Sequence, residues 1–118
     1  MIKIQIISSE KFVLKEKVFE NAIVIFIYKG ESPHGISLKN LVSFVKENLR
    51  GKQVVIYPCF SKKWKLGKTI LEVALKLYKL LVKSKIEVEI IRPSYDRSFT
   101  LIPSLNRYLI LEAEIKYS

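Results

Sequence analysis

The apolar residues of this chain recur with different spacings in different segments, and each spacing predicts a type of secondary structure. Residues 2–6 alternate between isoleucine and polar side chains, which is the period of a strand with one buried face. The polar run 8–10 predicts a break, and 12–15 predicts a second strand that returns to form a hairpin. The consecutive apolar residues 22–28 predict a central strand that is covered on both faces.

Two segments carry apolar residues at helical spacing. Residues 38–49 keep theirs on one face, with Ser37 as an N-cap and Gly51 as a stop, and predict an amphipathic helix that packs on a sheet. The helix predicted at 68–84 is apolar around most of its circumference, so we expect it to be buried on several sides or to lie at a subunit contact. Its polar residues form one stripe, which either extends a basic surface or is an ordinary solvated face: Lys68, Glu72, Lys76, Lys79 and Lys83.

The remaining apolar runs predict further short strands at 53–57, 86–91, 99–102 and 108–115. The chain contains no internal repeat and no linker, so residues 1–118 are interpreted as a single domain. The order of these elements predicts an α/β (α+β) fold, in which a single mixed β-sheet carries two main helices.

Two basic loops follow predicted strands, at the positions where open α/β sheets usually place ligand sites. The loop at 61–68 contains four lysines, the only tryptophan and no acidic residue. Lysines neutralise phosphates, and an indole offers a flat surface to a base or ribose. The loop at 92–99 adds arginines, which bind phosphate through two parallel hydrogen bonds, and a tyrosine that stacks. The candidate RNA-binding residues are Lys62, Lys63, Trp64, Lys65, Lys68, Arg92, Tyr95, Arg97 and Arg107.

The charge balance supports a polyanionic partner. The chain has 21 Lys and Arg against 11 Asp and Glu, a net charge of +10. Thermophile-like surfaces carry many charges of both signs, whereas a one-sided excess favours nucleic acid. The chain has neither the aromatic pair of RNA-recognition modules nor a Gly-x-x-Gly loop, so we expect recognition of structured RNA, not DNA, by shape and backbone. The alternative for Trp64 is a hydrophobic lid over the core.

Residues with reactive side chains are few. One cysteine and one histidine exclude an intramolecular disulfide and a multi-cysteine zinc site, and we expect no metal and no cofactor. Cys59 follows a buried-type strand, which is typical of a packed thiol, and His34 lies in a turn-rich loop, which is typical of a solvated side chain. The chain has neither a signal-peptide core nor an apolar run long enough to span a membrane, so we expect a cytoplasmic protein.

Several motifs occur in the same order as in a known family. They are Met1-Ile2-Lys3-Ile4-Gln5-Ile6-Ile7-Ser8-Ser9, Ile56-Tyr57-Pro58-Cys59-Phe60-Ser61 before the long helix, and Ile91-Arg92-Pro93-Ser94-Tyr95-Asp96-Arg97-Ser98-Phe99 after it. In this order the chain resembles the N-terminal editing domains of archaeal threonyl-tRNA synthetases, over almost its whole length. Those domains share a fold with D-aminoacyl-tRNA deacylases, so the resemblance implies a D-aminoacyl-tRNA deacylase-like fold and an ancestral contact with tRNA.

The functional positions of that family are changed in this chain. The family's loop histidine falls at Ser61, and its tyrosine–lysine pair falls at Asp96 and Arg97. The family's glycine-histidine-proline turn has no clear counterpart between Pro103 and Leu111. A serine cannot replace an imidazole as a base, and an arginine hardly loses a proton. The resemblance therefore implies a scaffold that has kept its shape and lost its reaction, with no catalytic residue to name.

Three functions follow from these observations. The favoured one is a non-catalytic, RNA-binding ribosomal or ribosome-associated protein that binds rRNA through the loops at 61–68 and 92–99. The alternative is a free-standing deacylase that hydrolyses mischarged tRNA-Thr in trans. A third is a structural homodimer built on the helix at 68–84, because domains of the resembled family dimerise.

Overall fold

A mixed seven-stranded sheet carries two helices in the computed structural model, which describes residues 1–15, 17–59, 67–92, 98–105 and 109–116. This arrangement confirms the predicted α+β class, a single mixed sheet with two helices. The elements are β1 (Ile2–Leu14), β2 (Lys17–Lys29), β3 (Gly35–Ile36), α1 (Leu38–Asn48), β4 (Gln53–Pro58), α2 (Gly67–Lys83), β5 (Val88–Ile90), β6 (Phe99–Pro103) and β7 (Leu109–Ile115).

The sheet combines a long antiparallel hairpin with a parallel half. Its strand order is β3-β7-β1-β2-β4-β5, and β6 pairs with β1 beside β7. β1 and β2 are antiparallel, whereas β2, β4 and β5 run parallel to one another. The helices α1 and α2 are the connections between these parallel strands. Parallel neighbours need such crossover connections, which explains why both helices lie between parallel strands in the chain.

The predicted break at residues 8–10 is wrong, because β1 continues through it. Ser9 pairs with Ala22 in the hairpin, and its hydroxyl donates to the Ala22 carbonyl at 2.9 Å. The carbonyl of Ser8 accepts a hydrogen bond from the Ser104 amide at 3.1 Å. Both serines are buried, so their polar groups are satisfied inside the sheet. The return strand of the hairpin is therefore β2, and residues 12–15 belong to the end of β1 and the turn.

The hairpin changes its buried face at the level of Glu10 and Asn21. Before this level, Ile6 opposes Ile25 in the core beneath the helices. Beyond it, Phe12 opposes Phe19 in a second core on the other side of the sheet. Asn21 has a φ of 49°, in the left-handed region that asparagine tolerates better than most residues. At this residue the side chains of β2 exchange faces of the sheet. The side chains of β1 do the same at Glu10, and the pairing register between the two strands does not change.

The face beneath the helices is aliphatic. Isoleucines of β1 and β2 and the residues Val54 and Ile56 of β4 meet both helices there. α1 starts as predicted at the N-cap Ser37, whose hydroxyl accepts from the Asn40 amide at 3.2 Å. It ends in a left-handed turn made by Arg50 and Gly51. The helical residues buried in this core are Leu41, Val42, Val45, Ile70, Val73, Ala74, Leu77 and Leu81.

α2 has its predicted length, but it is not buried on several sides within the chain; the alternative expectation, a subunit contact, stays a prediction. One face packs on the sheet, while Leu75 is 43% exposed and Val82 49% exposed. The predicted polar stripe is confirmed as an exposed face along the whole helix. Among the described residues, neither helix combines the length and the apolar character needed to cross a membrane.

The opposite face of the sheet is aromatic. Phe12 is fully buried, and its ring packs against the rings of four other residues with centroids 5.4 to 6.3 Å apart. β6 contributes Phe99, which reaches over this face and lies 5.4 Å from the rings of Phe26 and Tyr57. Such tilted and edge-on ring contacts add to the free energy gained from burial. We call this group the aromatic cluster: Phe12, Phe19, Phe26, Tyr57 and Phe99.

Candidate nucleic-acid interface

The two predicted basic loops begin at the same edge of the sheet. β4 and β5 are adjacent and parallel, and Val54 pairs with Val88. The chain leaves β4 at Cys59 and leaves β5 at Ile91, whose amide still bonds to the Ile56 carbonyl at 2.8 Å. Because both strands end on this side, the segments that follow them start close together. We call this side the loop edge.

The helix α2 brings a third positive element to the loop edge. Only residues 84–87 separate the end of α2 from β5, so α2 ends near the start of β5 and begins near the loop edge. Lys68 lies in the first turn of α2 and is exposed, and that turn contains no acidic residue. A helix N-terminus carries partial positive charge, to which the Lys68 ammonium adds. This end of α2 therefore attracts anions.

Two of the predicted RNA-binding residues lie in the part of the chain that the structure describes. Lys68 opens α2, and Arg92 follows β5 directly; both are exposed. Their elements bring them to the loop edge, as predicted from sequence. The other predicted RNA-binding residues lie outside the described ranges, and so do the family-related positions Ser61, Asp96 and Arg97. Those residues are Lys62, Lys63, Trp64, Lys65, Tyr95, Arg97 and Arg107.

The lysines of α2 form a strip of unneutralised charge. The ion pairs among the described residues are Lys3–Glu112, Lys17–Glu89 and Lys116–Glu114, and none of them involves this helix. From its first to its last lysine the strip extends about 22 Å, at 1.5 Å per residue. The exposed residues of the strip are Lys68, Glu72, Lys76, Lys79 and Lys83, of which only Glu72 is acidic.

Cys59, at the start of the first loop, is held as a thiol. Its side chain is half-buried, and its sulfur donates to the Tyr57 carbonyl at 3.7 Å. Burial raises the pKa of the Cys59 thiol to about 12. A cysteine nucleophile acts as the thiolate, so this pKa agrees with the expected packed thiol.

His34 is exposed in the segment before β3, as the sequence predicts for a solvated side chain. Its carbonyl accepts a hydrogen bond from the Glu114 amide at 2.7 Å, where β3 meets β7. Within the described ranges, no three His, Cys, Asp or Glu side chains come together in a set that could hold a metal ion.

One polar cluster was not predicted from the sequence. Lys52 donates hydrogen bonds to the hydroxyls of Ser8 and Ser104, although the three residues are far apart in the chain. They meet because Ser104 follows β6, which pairs with β1 next to Ser8. The three residues meet only because β6 pairs with β1. The local sequence of a short strand does not show which strand it pairs with, so the cluster could not be predicted.

Comparison with known proteins leaves this arrangement without a family assignment. No known family model matches the sequence, and no curated protein matches it. The relation to threonyl-tRNA synthetase editing domains therefore stays a proposal, which rests on the motifs and on the order of the elements.

Proposed function

We propose that this protein is a non-catalytic RNA-binding protein of the translation apparatus. In this proposal it is a divergent relative of archaeal threonyl-tRNA synthetase editing domains and binds rRNA as a ribosomal or ribosome-associated protein. The observation that carries the proposal is the parallel pairing of β4 with β5, which starts both basic loops at one edge of the sheet. A shared starting edge lets the cations of both loops act on one stretch of RNA.

Electrostatics support an RNA partner over a neutral one. The net charge is +10, and at the loop edge Lys68 and Arg92 are exposed with no acidic partner among the described residues. Each lysine or arginine that neutralises a phosphate releases condensed counterions, which makes binding strongly salt-dependent. The lysine strip on α2 adds charge that an extended RNA backbone follows in the same way.

The proposal assigns no reaction to this surface. Where the resembled family has its histidine and its tyrosine–lysine pair, this chain has Ser61, Asp96 and Arg97. Cys59, the single cysteine of the chain, has a pKa of about 12 and is not a nucleophile near neutral pH. Binding through cations and stacking needs no group with a shifted pKa, so this chemistry is sufficient for an rRNA contact.

The test is RNA binding measured across a range of salt concentrations. The variant Lys68→Gln/Arg92→Gln removes two cations from the loop edge, and Lys46→Gln/Lys85→Gln removes two exposed lysines near the C-terminal ends of the helices. We expect the first pair to reduce the log–log salt slope by about 1.5 to 2, and the matched pair to leave it nearly unchanged. Equal effects of the two pairs would show that only net charge matters and would contradict the proposed interface.

Sedimentation of a cell lysate tests the ribosomal assignment. At low salt the protein should co-migrate with a ribosomal subunit, and at high salt it should be released. Migration near the top of the gradient at both salt concentrations would contradict the assignment. In that case hydrolysis of mischarged tRNA-Thr, abolished by Arg97→Ala, would establish the deacylase alternative.

The exposed apolar residues of α2 favour a second candidate, a structural homodimer. Leu75 and Val82 lie on the same side of the helix and are 43% and 49% exposed. Two copies could cover this side by packing helix against helix, although the neighbouring lysines would repel one another. Light scattering of the purified protein, compared with Leu75→Glu/Val82→Glu, decides the matter. A dimer that becomes a monomer in the variant supports this candidate, and a wild-type monomer removes it.

A further inference from the structure

The cluster of Lys52, Ser8 and Ser104 lies at the opposite end of β4 from the loop edge. Lys52 directly precedes β4, and its ammonium donates to the Ser8 hydroxyl and, at 3.2 Å, to the Ser104 hydroxyl. The two hydroxyl oxygens are 2.9 Å apart. The Ser104 amide also bonds to the Ser8 carbonyl at 3.1 Å, which fixes the two serines relative to each other. A residue of β1, the residue after β6 and the residue before β4 therefore form this cluster.

The cluster has more hydrogen-bond donors than it uses. A lysine ammonium has three hydrogens, and two of them bond to the serine oxygens. The contact between the serines uses one of the two hydroxyl hydrogens. Either serine can be the donor in this contact. We assign the donor to the buried Ser8, which leaves the hydroxyl hydrogen of the half-buried Ser104 for a ligand. One ammonium hydrogen and one hydroxyl hydrogen remain available beside a positive charge.

No carboxylate neutralises this charge in the part of the chain that the structure describes, where the ion pairs involve other lysines. Lys52 is half-buried, and one hydrogen of its ammonium is left for a ligand. A cation with free hydrogen-bond donors favours an oxyanion, which accepts both hydrogen bonds and supplies the missing negative charge.

We propose that Lys52, Ser104 and Ser8 form a binding site for a phosphate group. Phosphate oxygens accept the free ammonium and hydroxyl hydrogens on separate oxygens, and lysine is a common phosphate ligand as a compact point charge. β4 separates this site from the loop edge by about 20 Å, at 3.3 Å per residue. The site therefore stands independently of the proposed RNA interface. Its phosphate comes either from a phosphate monoester, free phosphate included, or from a phosphodiester of RNA.

An NMR titration with inorganic phosphate at constant ionic strength tests the site in the wild-type protein. We expect saturable shifts of the amide signals of Ser8, Gln53 and Ser104, with chloride producing none. Lys52→Met, which keeps an apolar stem and removes the charge, should weaken phosphate binding about tenfold or more. Lys85→Met removes an exposed lysine and should leave the affinity unchanged. Absence of saturable shifts at these three amides would overturn the proposal.

Two further measurements test the phosphate site without relying on Lys52→Met, in case that variant folds poorly. Ser104→Ala removes only the outward hydroxyl, and we expect it to weaken phosphate binding about threefold to tenfold. Unchanged affinity in a folded Ser104→Ala protein would contradict the assigned hydroxyl. Adenosine monophosphate and a short RNA without terminal phosphates distinguish the two sources: shifts with the mononucleotide alone indicate a monoester, and equal or stronger shifts with the RNA indicate a phosphodiester.

Discussion

The two faces of the sheet are built in different ways. The face beneath α1 and α2 is aliphatic, and its residues come from regular alternation in the strands and regular spacing in the helices. The other face centres on the aromatic cluster and depends on the change of buried face at Glu10 and Asn21. It also depends on β6, a strand distant in sequence that brings Phe99 over β2 and β4. The first face is organised locally, whereas the second exists only once distant segments have met.

This difference bears on function because the aromatic side reaches the loop edge. Tyr57, Cys59 and Ile91 belong to or pack against the core on that side, and they lie directly before the two basic loops. Arg92 follows Ile91 directly. The starting points of the loops are therefore fixed by the aromatic core, while the helices fix the rest of the sheet. Damage to the aromatic core should affect the proposed RNA interface more than equal damage beneath α1.

Phe12→Ala should produce the largest effect on stability. Phe12 is fully buried and contacts the other four rings of the aromatic cluster, so its truncation leaves a cavity that distant segments cannot easily close. We expect urea denaturation to show a loss of about 3–5 kcal/mol in the free energy of unfolding. Val82→Ala, on the exposed side of α2, is the control and should change it by less than about 0.5 kcal/mol. A loss below about 1 kcal/mol for Phe12→Ala would show that this core is loosely packed.

Cys59 reports on the intactness of the aromatic core at the loop edge. Its pKa of about 12 means that very little thiolate is present at pH 8 in the folded protein. We expect the disulfide reagent DTNB to react at least about a hundredfold more slowly with folded than with urea-unfolded protein. The unfolded chain loses the thiol proton first, so the free energy of unfolding should fall as the pH rises from the ordinary thiol pKa towards 12. Reaction within about tenfold of the unfolded rate would contradict this burial.

Asn21 tests the change of face directly. A φ of 49° raises the conformational free energy of a β-branched residue, whereas glycine adopts it without strain. Asn21→Val should therefore lower the free energy of unfolding by about 1–2 kcal/mol, whereas Asn21→Gly should alter it by less than about 1 kcal/mol. Equal stability of the two variants would mean that the hairpin does not need a left-handed residue here.

The smallest expected effect concerns the polar end of the aromatic side, where Lys3 pairs with Glu112. The hydrogen bonds from Lys3 and then Gln5 lower the pKa of Glu112, and the bond to Glu112 raises the pKa of Lys3. A lowered carboxyl pKa adds stability that is present above the ordinary pKa and is lost as the pH falls through the folded-state value. We expect this dependence to be small, because solvent largely screens a partly exposed pair. Glu112→Gln should remove it, because the amide does not titrate. An identical acid dependence in wild type and variant would contradict the pairing.

The sequence predicted the helix-covered face well and the aromatic face poorly, for a physical reason. Ser37, the spacing of 38–49 and the apolar face of 68–84 are local signals, and they placed both helices to within about one residue. The polar run 8–10 was interpreted as a break, because nothing in that segment shows that Ser8 and Ser9 find partners in β6 and β2. The same contrast between local signals and long-range pairing holds for the two candidate sites. The shared edge of the two basic loops follows from parallel strands, whereas the meeting of Lys52 with two serines requires a long-range strand pairing.

The central claim is that RNA contacts the loop edge, and the most direct measurement is an NMR titration of the protein with a structured rRNA fragment. The account predicts that amide shifts and line broadening concentrate at Cys59, Lys68 and Arg92, and that they disappear as salt is raised. Perturbation confined to the opposite end of α2, around Lys85 and Ile86, or no perturbation at low salt, would contradict it.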